Sequence, residues 1–266
     1  MKCSDRVNRS EHRVMGDLEN QVIVVTGGAS GIGRATALLF GQEKASVVIW
    51  DWNEDQARNT LAQIEDEGGA GLTIKVDVGK SDEVKAAVAK TIEHYGRIDI
   101  LFANAAVQVI KPVDSTTDDE WESVIAANLR GTFLSCREVI PIMRRQKSGC
   151  IVIASSGHAI QSYPGYAAYA STKGGQLAMM RAMALDCAAD GIRVNCIIPG
   201  ATETSLLRAH FADKPEEKAR LLAKIPMGRL ATPEDIARSV RMLASSDAAY
   251  ITGTSLVVDG GLLAKG

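Results

Sequence analysis

Seven short apolar runs, at residues 22–25, 47–50, 72–76, 98–102, 150–153, 194–198 and 255–258, alternate with longer helical patterns such as 33–43, 82–95, 119–145 and 166–189. Runs without polar alternation belong to strands buried on both faces. Strands of that kind, separated by helices, restrict the chain to an α/β fold: one doubly wound parallel sheet of about seven strands with helices on both faces. A chain of 266 residues buries enough surface to do this as a single domain. Residues 1–17 have no apolar periodicity and are expected to form a flexible N-terminal arm ahead of a domain at 18–266. Their Arg6, Arg9 and Arg13 hint at organelle import, whereas Asp5 and Glu11 count against it. The polar, helix-prone stretch at 200–225 holds Lys214-Pro215-Glu216-Glu217-Lys218 and is expected to act as a lid.

Charge and cysteine content narrow the function classes. With 30 basic and 32 acidic residues the net charge is −2, which leaves no electrostatic footprint for nucleic acid or an anionic membrane. Five cysteines form no Cys-x-x-Cys pair, so neither a disulfide framework nor a metal site is expected. No apolar run reaches the length of about 18 residues needed for a membrane span, and no signal peptide is evident. A soluble, cytoplasmic protein is expected.

Directly after the first strand comes Thr26-Gly27-Gly28-Ala29-Ser30-Gly31-Ile32-Gly33, opening into a helical run from Arg34. A strand, a glycine-rich turn and a helix N-terminus together expose backbone N–H groups to an anion, and absent side chains let a pyrophosphate approach. This points to a Rossmann-like dinucleotide site, although the spacing departs from Gly-x-Gly-x-x-Gly and also suits a structural turn. The second strand ends in Asp51, about 20 residues beyond the loop, where a carboxylate bonds ribose hydroxyls and repels a 2′-phosphate. NAD(H) is therefore expected over NADP(H), with Arg34 as a nearby cation that argues the other way. Asp51 also suits a cap for a helix starting near Asn53.

Tyr169 and Lys173 stand four residues apart, which places both on one helix face. An ammonium beside a phenol favours the phenolate, whose free pKa near 10 must otherwise fall by roughly three units for work near neutrality.

These motifs, in this order, resemble those of the short-chain dehydrogenase/reductase family over residues 18–261. Thr26 to Gly33 resembles its glycine loop, with Gly27, Ser30, Gly31, Ile32 and Gly33 as cofactor contacts. Asp77-Val78 resembles the adenine-contacting pair, Asn104-Ala105-Ala106 the Asn-Ala-Gly segment, and Pro199-Gly200 with Thr202 and Thr204 the nicotinamide loop. The resemblance implies a catalytic set of Asn128, Ser156, Tyr169 and Lys173. Ser156 rather than Ser155 is implied because the family's serine lies 13 residues before the tyrosine. Tyr169 is implied as acid/base for hydride transfer between NAD(H) and a secondary alcohol or ketone. Lys173 is implied to lower its pKa and bond the nicotinamide ribose, Ser156 to bond the substrate oxygen, and Asn128 to kink its helix and hold a water leading to the lysine. A homotetramer is implied as well. Ala106, Ala154 and Thr202 depart from the usual pattern without removing a reacting group.

Substrate contacts are expected from the loops at strand carboxyl ends. His158, Gln161 and Tyr163, with Arg208 and His210, suit hydroxyls or a carboxylate; Ile110, Ile160, Leu206, Leu207 and Phe211 suit a ring or acyl chain. Tyr163 and Tyr166 are expected as pocket wall, since neither has a lysine four residues on. Two rival functions stay open: an NADP-linked 3-oxoacyl reductase, and an NAD(H)-binding sensor or scaffold with little turnover.

Overall fold

A computed structural model describes residues 18–265, so the expected arm at 1–17 lies outside the described residues. Seven strands, β1 (Val22–Thr26), β2 (Ser46–Asp51), β3 (Ala70–Lys75), β4 (Ile100–Ala103), β5 (Gly149–Ala154), β6 (Ile192–Pro199) and β7 (Ser255–Val258), form one sheet in the order β3-β2-β1-β4-β5-β6-β7. Every pairing is parallel. The order reverses between β1 and β4, and the crevice beyond their carboxyl ends is where such sheets bind ligands.

Helices α1 (Gly31–Gln42), α2 (Glu54–Asp66) and α9 (Pro233–Ala244) cover one face, packing Phe40, Ile64 and Val240 on Ile23, Val25, Ile49, Phe102 and Val152. On the other face α3 (Ser81–Tyr95), α5 (Gly131–Gln146) and α6 (Ala167–Cys187) pack Val84, Val139 and Met180 on Val24, Trp50, Leu101, Ile151 and Val194. Alternate residues of each central strand thus feed opposite cores, which is why the runs read as continuously apolar. The edge strands β3 and β7 lack an outer neighbour and are only partly buried, unlike the two-faced burial expected of all seven runs.

Local signals set the helix ends. Thr232-Pro233-Glu234-Asp235 starts α9 with a capping box and proline in the first turn, and Gly96 ends α3 in the left-handed region at φ 73°. The long helical pattern at 119–145 is α4 (Asp118–Val124) running into α5 through a π-helical turn at Ile125–Arg130. The lid stretch contains α7 (Ser205–Phe211) and α8 (Pro215–Lys224). Among the described residues no helix is long and apolar enough to cross a membrane.

Candidate active site

The loops leaving β1, β2, β4, β5 and β6 converge at the crevice. Thr26 ends β1, and its Oγ1 accepts the N–H groups of Asn104 (2.9 Å) and Ala105 (3.0 Å) from the end of β4. Asn104 Nδ2 donates back to the carbonyls of Thr26 (3.1 Å) and Gly27 (3.3 Å). This stapling is tight: a Cβ on Gly33 would stand 2.1 Å from the Gly27 carbonyl oxygen, and Gly27 itself needs φ +66°. Ser30 makes no side-chain cap for α1, so the first-turn N–H groups of that helix face the crevice without a side-chain acceptor. The loop is a backbone cradle that fits a dinucleotide pyrophosphate.

Asp51 is only 6% exposed at the end of β2. Its Oδ2 accepts Ala29 N–H from the glycine loop (3.0 Å) and its Oδ1 accepts Asn53 N–H (2.9 Å). Asn53 is the residue that caps α2, accepting from Gln56 N–H, so capping is not the task of Asp51. Arg34 turns to the Gln63 side chain on α2. After β3, Asp77 Oδ1 accepts Gly79 N–H (2.9 Å), while Val78 is buried against Gly131. After β6, Gly200 leaves room for Asp259, against which a Cβ would stand at 2.6 Å. Thr202 is buried with its hydroxyl on the Gly200 carbonyl (3.1 Å). Thr204 caps α7 and packs beside Gly31.

The end of β5 and the start of α6 assemble the reactive groups. Lys173 is 2% exposed, and its Nζ donates to the Ala154 carbonyl (2.7 Å) while lying 5.4 Å from the centre of the Tyr169 ring. Ser155, 4% exposed, donates to the Lys173 carbonyl (3.0 Å) and so anchors α6 to β5. Ser156 is half-buried and its Oγ accepts His158 N–H (3.2 Å), while its hydroxyl also acts on the Tyr169 phenol against the effect of burial. The two hydroxyls serve different contacts, Ser155 with the Lys173 carbonyl and Ser156 with His158 N–H. Their adjacent side chains leave the strand end in opposite directions.

Burial pushes Tyr169 up to about 12, against which the Ser156 bond acts, and brings Lys173 down to about 8. Burial thus outweighs the lowering expected of the ammonium at the phenol. The lysine's charge lies over the ring and is committed to Ala154, and burial of both groups favours their neutral forms.

Asn128 is wholly buried in the π-helical turn. Its Oδ1 accepts Val107 N–H (2.8 Å), and its Nδ2 donates to the Val107 carbonyl (2.9 Å) and Thr172 Oγ1 (3.2 Å). Its main-chain carbonyl accepts Thr132 Oγ1 (2.7 Å) and Gln176 Nε2 (2.9 Å). Gln176 was missed by sequence reasoning, yet with Tyr169 and Lys173 it completes an i, i+4, i+7 stripe on α6.

His158 stacks on Tyr166 (ring centres 4.0 Å, planes 20° apart) and meets Tyr163 and Tyr169 edge-on at 5.7 and 5.8 Å. Gln161 is exposed and stands outside this cluster. Lys224 Nζ, from α8, lies 5.1 Å from the centre of the Tyr163 ring. Arg208 lines a cavity of about 330 Å³ with Gly31 and Arg34. The side chains of Leu206 and His210 lie outside the described residues. Among the described residues no group of three or more His, Cys, Asp or Glu side chains is arranged to hold a metal ion.

A family model described as enoyl-(acyl carrier protein) reductase matches residues 27–263. The chain is 41% identical to 3beta-hydroxysteroid dehydrogenase 1 of Eggerthella lenta over 248 residues, covering 92% of this chain and 95% of that protein. It is 36% identical over 251 residues to a cyclopentanol dehydrogenase of Comamonas sp., covering 94% of this chain and 100% of the relative. Its structure matches that of a 3-ketoacyl-(acyl-carrier-protein) reductase from Brucella melitensis complexed with NADH, with TM-score 0.85, 33% identity, and coverage of 92% and 99%.

Proposed function

Because the chain belongs to the short-chain dehydrogenase/reductase family, an oxidoreductase family, we propose that it transfers hydride between NAD(H) and a secondary alcohol or its ketone, with Tyr169 as the acid/base. The observation that carries this is Lys173 Nζ held 5.4 Å from the centre of the Tyr169 ring, next to Ser156 after β5, at the carboxyl end of a sheet whose glycine loop forms an anion cradle. When bound, the nicotinamide supplies the hydride acceptor or donor. Ser156 and Tyr169 hold the substrate oxygen between them: Tyr169 takes its proton during oxidation and returns it during reduction, while Ser156 limits the charge that develops there. Lys173, with its Nζ beside the Tyr169 ring, would supply positive charge there and turn its remaining donors to the ribose of a bound nucleotide. Asn128 fixes the loop at Val107 against α6.

The glycine loop, Asp77-Val78, Asn104 and the segment from Pro199 to Thr204 would hold the cofactor. Asp51 supports NAD(H), since a buried carboxylate beside the adenosine ribose repels a 2′-phosphate and Arg34 is engaged by Gln63. The likeness to acyl-carrier-protein reductases favours a second reading, a 3-oxoacyl reductase; the solved one is complexed with NADH, so the likeness itself does not carry an NADP link. A lid role for the 200–225 segment, a homotetramer and a cytoplasmic location belong to the same proposal.

Assaying a panel of alcohols, ketones and 3-oxoacyl thioesters at 340 nm with both nucleotides tests this. The expected result is turnover with kcat/KM about tenfold or more higher for NAD(H) than for NADP(H), a gap that Asp51→Ala narrows. A preference for NADP(H) with the thioester supports the second reading, and tight NADH binding without turnover returns the protein to a sensor or scaffold.

A further inference from the structure

We infer that Gln176 is a positioning residue for hydride transfer: by gripping the main chain of Asn128 it sets the register of the Tyr169–Lys173 turn against the loop at Val107. This rests on the dehydrogenase function proposed above.

The grip spans the reactive turn. Thr172 and Gln176 lie four residues apart on one face of α6, flanking Lys173 in the chain, and both reach Asn128 in the π-helical turn. Thr172 Oγ1 accepts from Asn128 Nδ2 (3.2 Å) and donates to the Tyr169 carbonyl (2.7 Å), while Gln176 Nε2 donates to the Asn128 main-chain carbonyl (2.9 Å) and to Thr132 Oγ1 (2.8 Å). The close approach needs Gly175, where a Cβ would stand 3.1 Å from Leu129 Cδ1. None of Asn128, Thr132, Thr172 and Gln176 is more than 4% exposed. From Asn128 the bonds continue to Val107, whose N–H and carbonyl are both held by the asparagine side chain. The start of α6, the π-helical turn and the loop after β4 are thus one hydrogen-bonded unit, with Gln176 as its far anchor.

The direction of each bond is fixed. The Asn128 carbonyl can only accept, so the Gln176 amide must present Nε2 to it, and the Thr132 hydroxyl, which donates to the same carbonyl (2.7 Å), must accept from Gln176. Side chains then occupy both lone pairs of that carbonyl, and none is left there for the water that the resemblance implies of Asn128. A methionine at 176 would fill similar space without a donor. Thr132 would still pair the carbonyl, and Gln176 Oε1, buried without a partner among the described residues, would be gone. The fold therefore loses little without the amide; what it loses is the register of α6 against the loop, on which the placing of Tyr169 at a substrate oxygen depends.

The test compares the wild type with Gln176→Met and with Gln176→Glu, which keeps the shape of the side chain and replaces its donor by an acceptor. Turnover is measured on whichever of cyclopentanol, cyclohexanone and acetoacetyl-coenzyme A the wild type uses fastest, beside urea unfolding and amide hydrogen exchange at Val107. In both variants kcat is expected to fall about tenfold with KM within about threefold. Exchange of the Val107 N–H should quicken about tenfold, while the unfolding midpoint of Gln176→Met stays within about a tenth of the wild-type value. Wild-type kcat, wild-type Val107 exchange or a lowered Gln176→Met midpoint overturns the inference, the last by making Gln176 structural, and each leaves the dehydrogenase function standing. Absence of wild-type turnover with every compound of the panel above and both nucleotides overturns both.

Discussion

Tyr169 and Lys173 are expected to share one titrating proton, because the charge state with a phenolate and an ammonium is a tautomer of the state with a phenol and a neutral amine. The pair loses its first proton where Lys173 does, near 8, well below the value of about 12 that burial gives the phenol. Alcohol oxidation needs that proton gone, so kcat/KM for oxidation is expected to rise with pH, reach half its plateau at about pH 8 and level off about one pH unit above that. Ketone reduction, which needs the proton, should fall over the same range. In Lys173→Met the oxidation limb moves up by about one pH unit or more, towards the phenol's own value; a limb that stays in place contradicts the shared proton. At this scale the sequence was informative about identity and silent about environment. Four-residue spacing put the two side chains on one face, and the position after β2 marked Asp51. The direction of the pKa shifts was not legible, because burial comes from packing between β5 and α6, which no spacing encodes.

Elements hold these residues by buried polar bonds. The π-helical turn at Ile125–Arg130 brings Asn128 inward, where its side chain holds both backbone groups of Val107 and the Thr172 hydroxyl. Asn128→Ala leaves those buried partners unpaired and is expected to cost about 3 kcal/mol of stability by urea unfolding, together with weaker turnover. A cost below about 0.5 kcal/mol would show that Asn128 is not what fixes the loop at Val107. The helix itself was legible from its apolar period, but the π turn within it was not, since one extra residue in a turn leaves the pattern nearly unchanged. Strand positions were legible because each central run feeds two cores. The runs at 98–102 and 72–76 were displaced by about two residues from β4 and β3: Asp99 joins the ladder ahead of β4 through Val22, while β3 begins at the weakly apolar Ala70-Gly71.

The whole molecule was legible in outline, since alternating strands and helices leave few alternatives to a doubly wound sheet, and the glycine loop after β1 fixes where it binds its ligand. Less legible was the contact between the 200–225 segment and the aromatic cluster: the link from Lys224 on α8 to Tyr163 joins residues far apart in sequence whose chemistry gives no hint of their meeting. Exposed Trp121, Phe133, Leu185 and Val257 lie on α4, α5, α6 and β7, elements expected to pair copies in a homotetramer. Light scattering should then give four times the 28.3 kDa of one chain, and Val257→Glu should lower that mass; a monomer at micromolar concentration contradicts the assembly. The central claim, that Tyr169 moves the proton in a nicotinamide-linked reaction, is tested most directly by comparing wild type and Tyr169→Phe at 340 nm, with NADH binding followed in parallel. Turnover should fall by about a hundredfold or more while NADH affinity stays within about threefold; undiminished turnover in Tyr169→Phe would contradict the account.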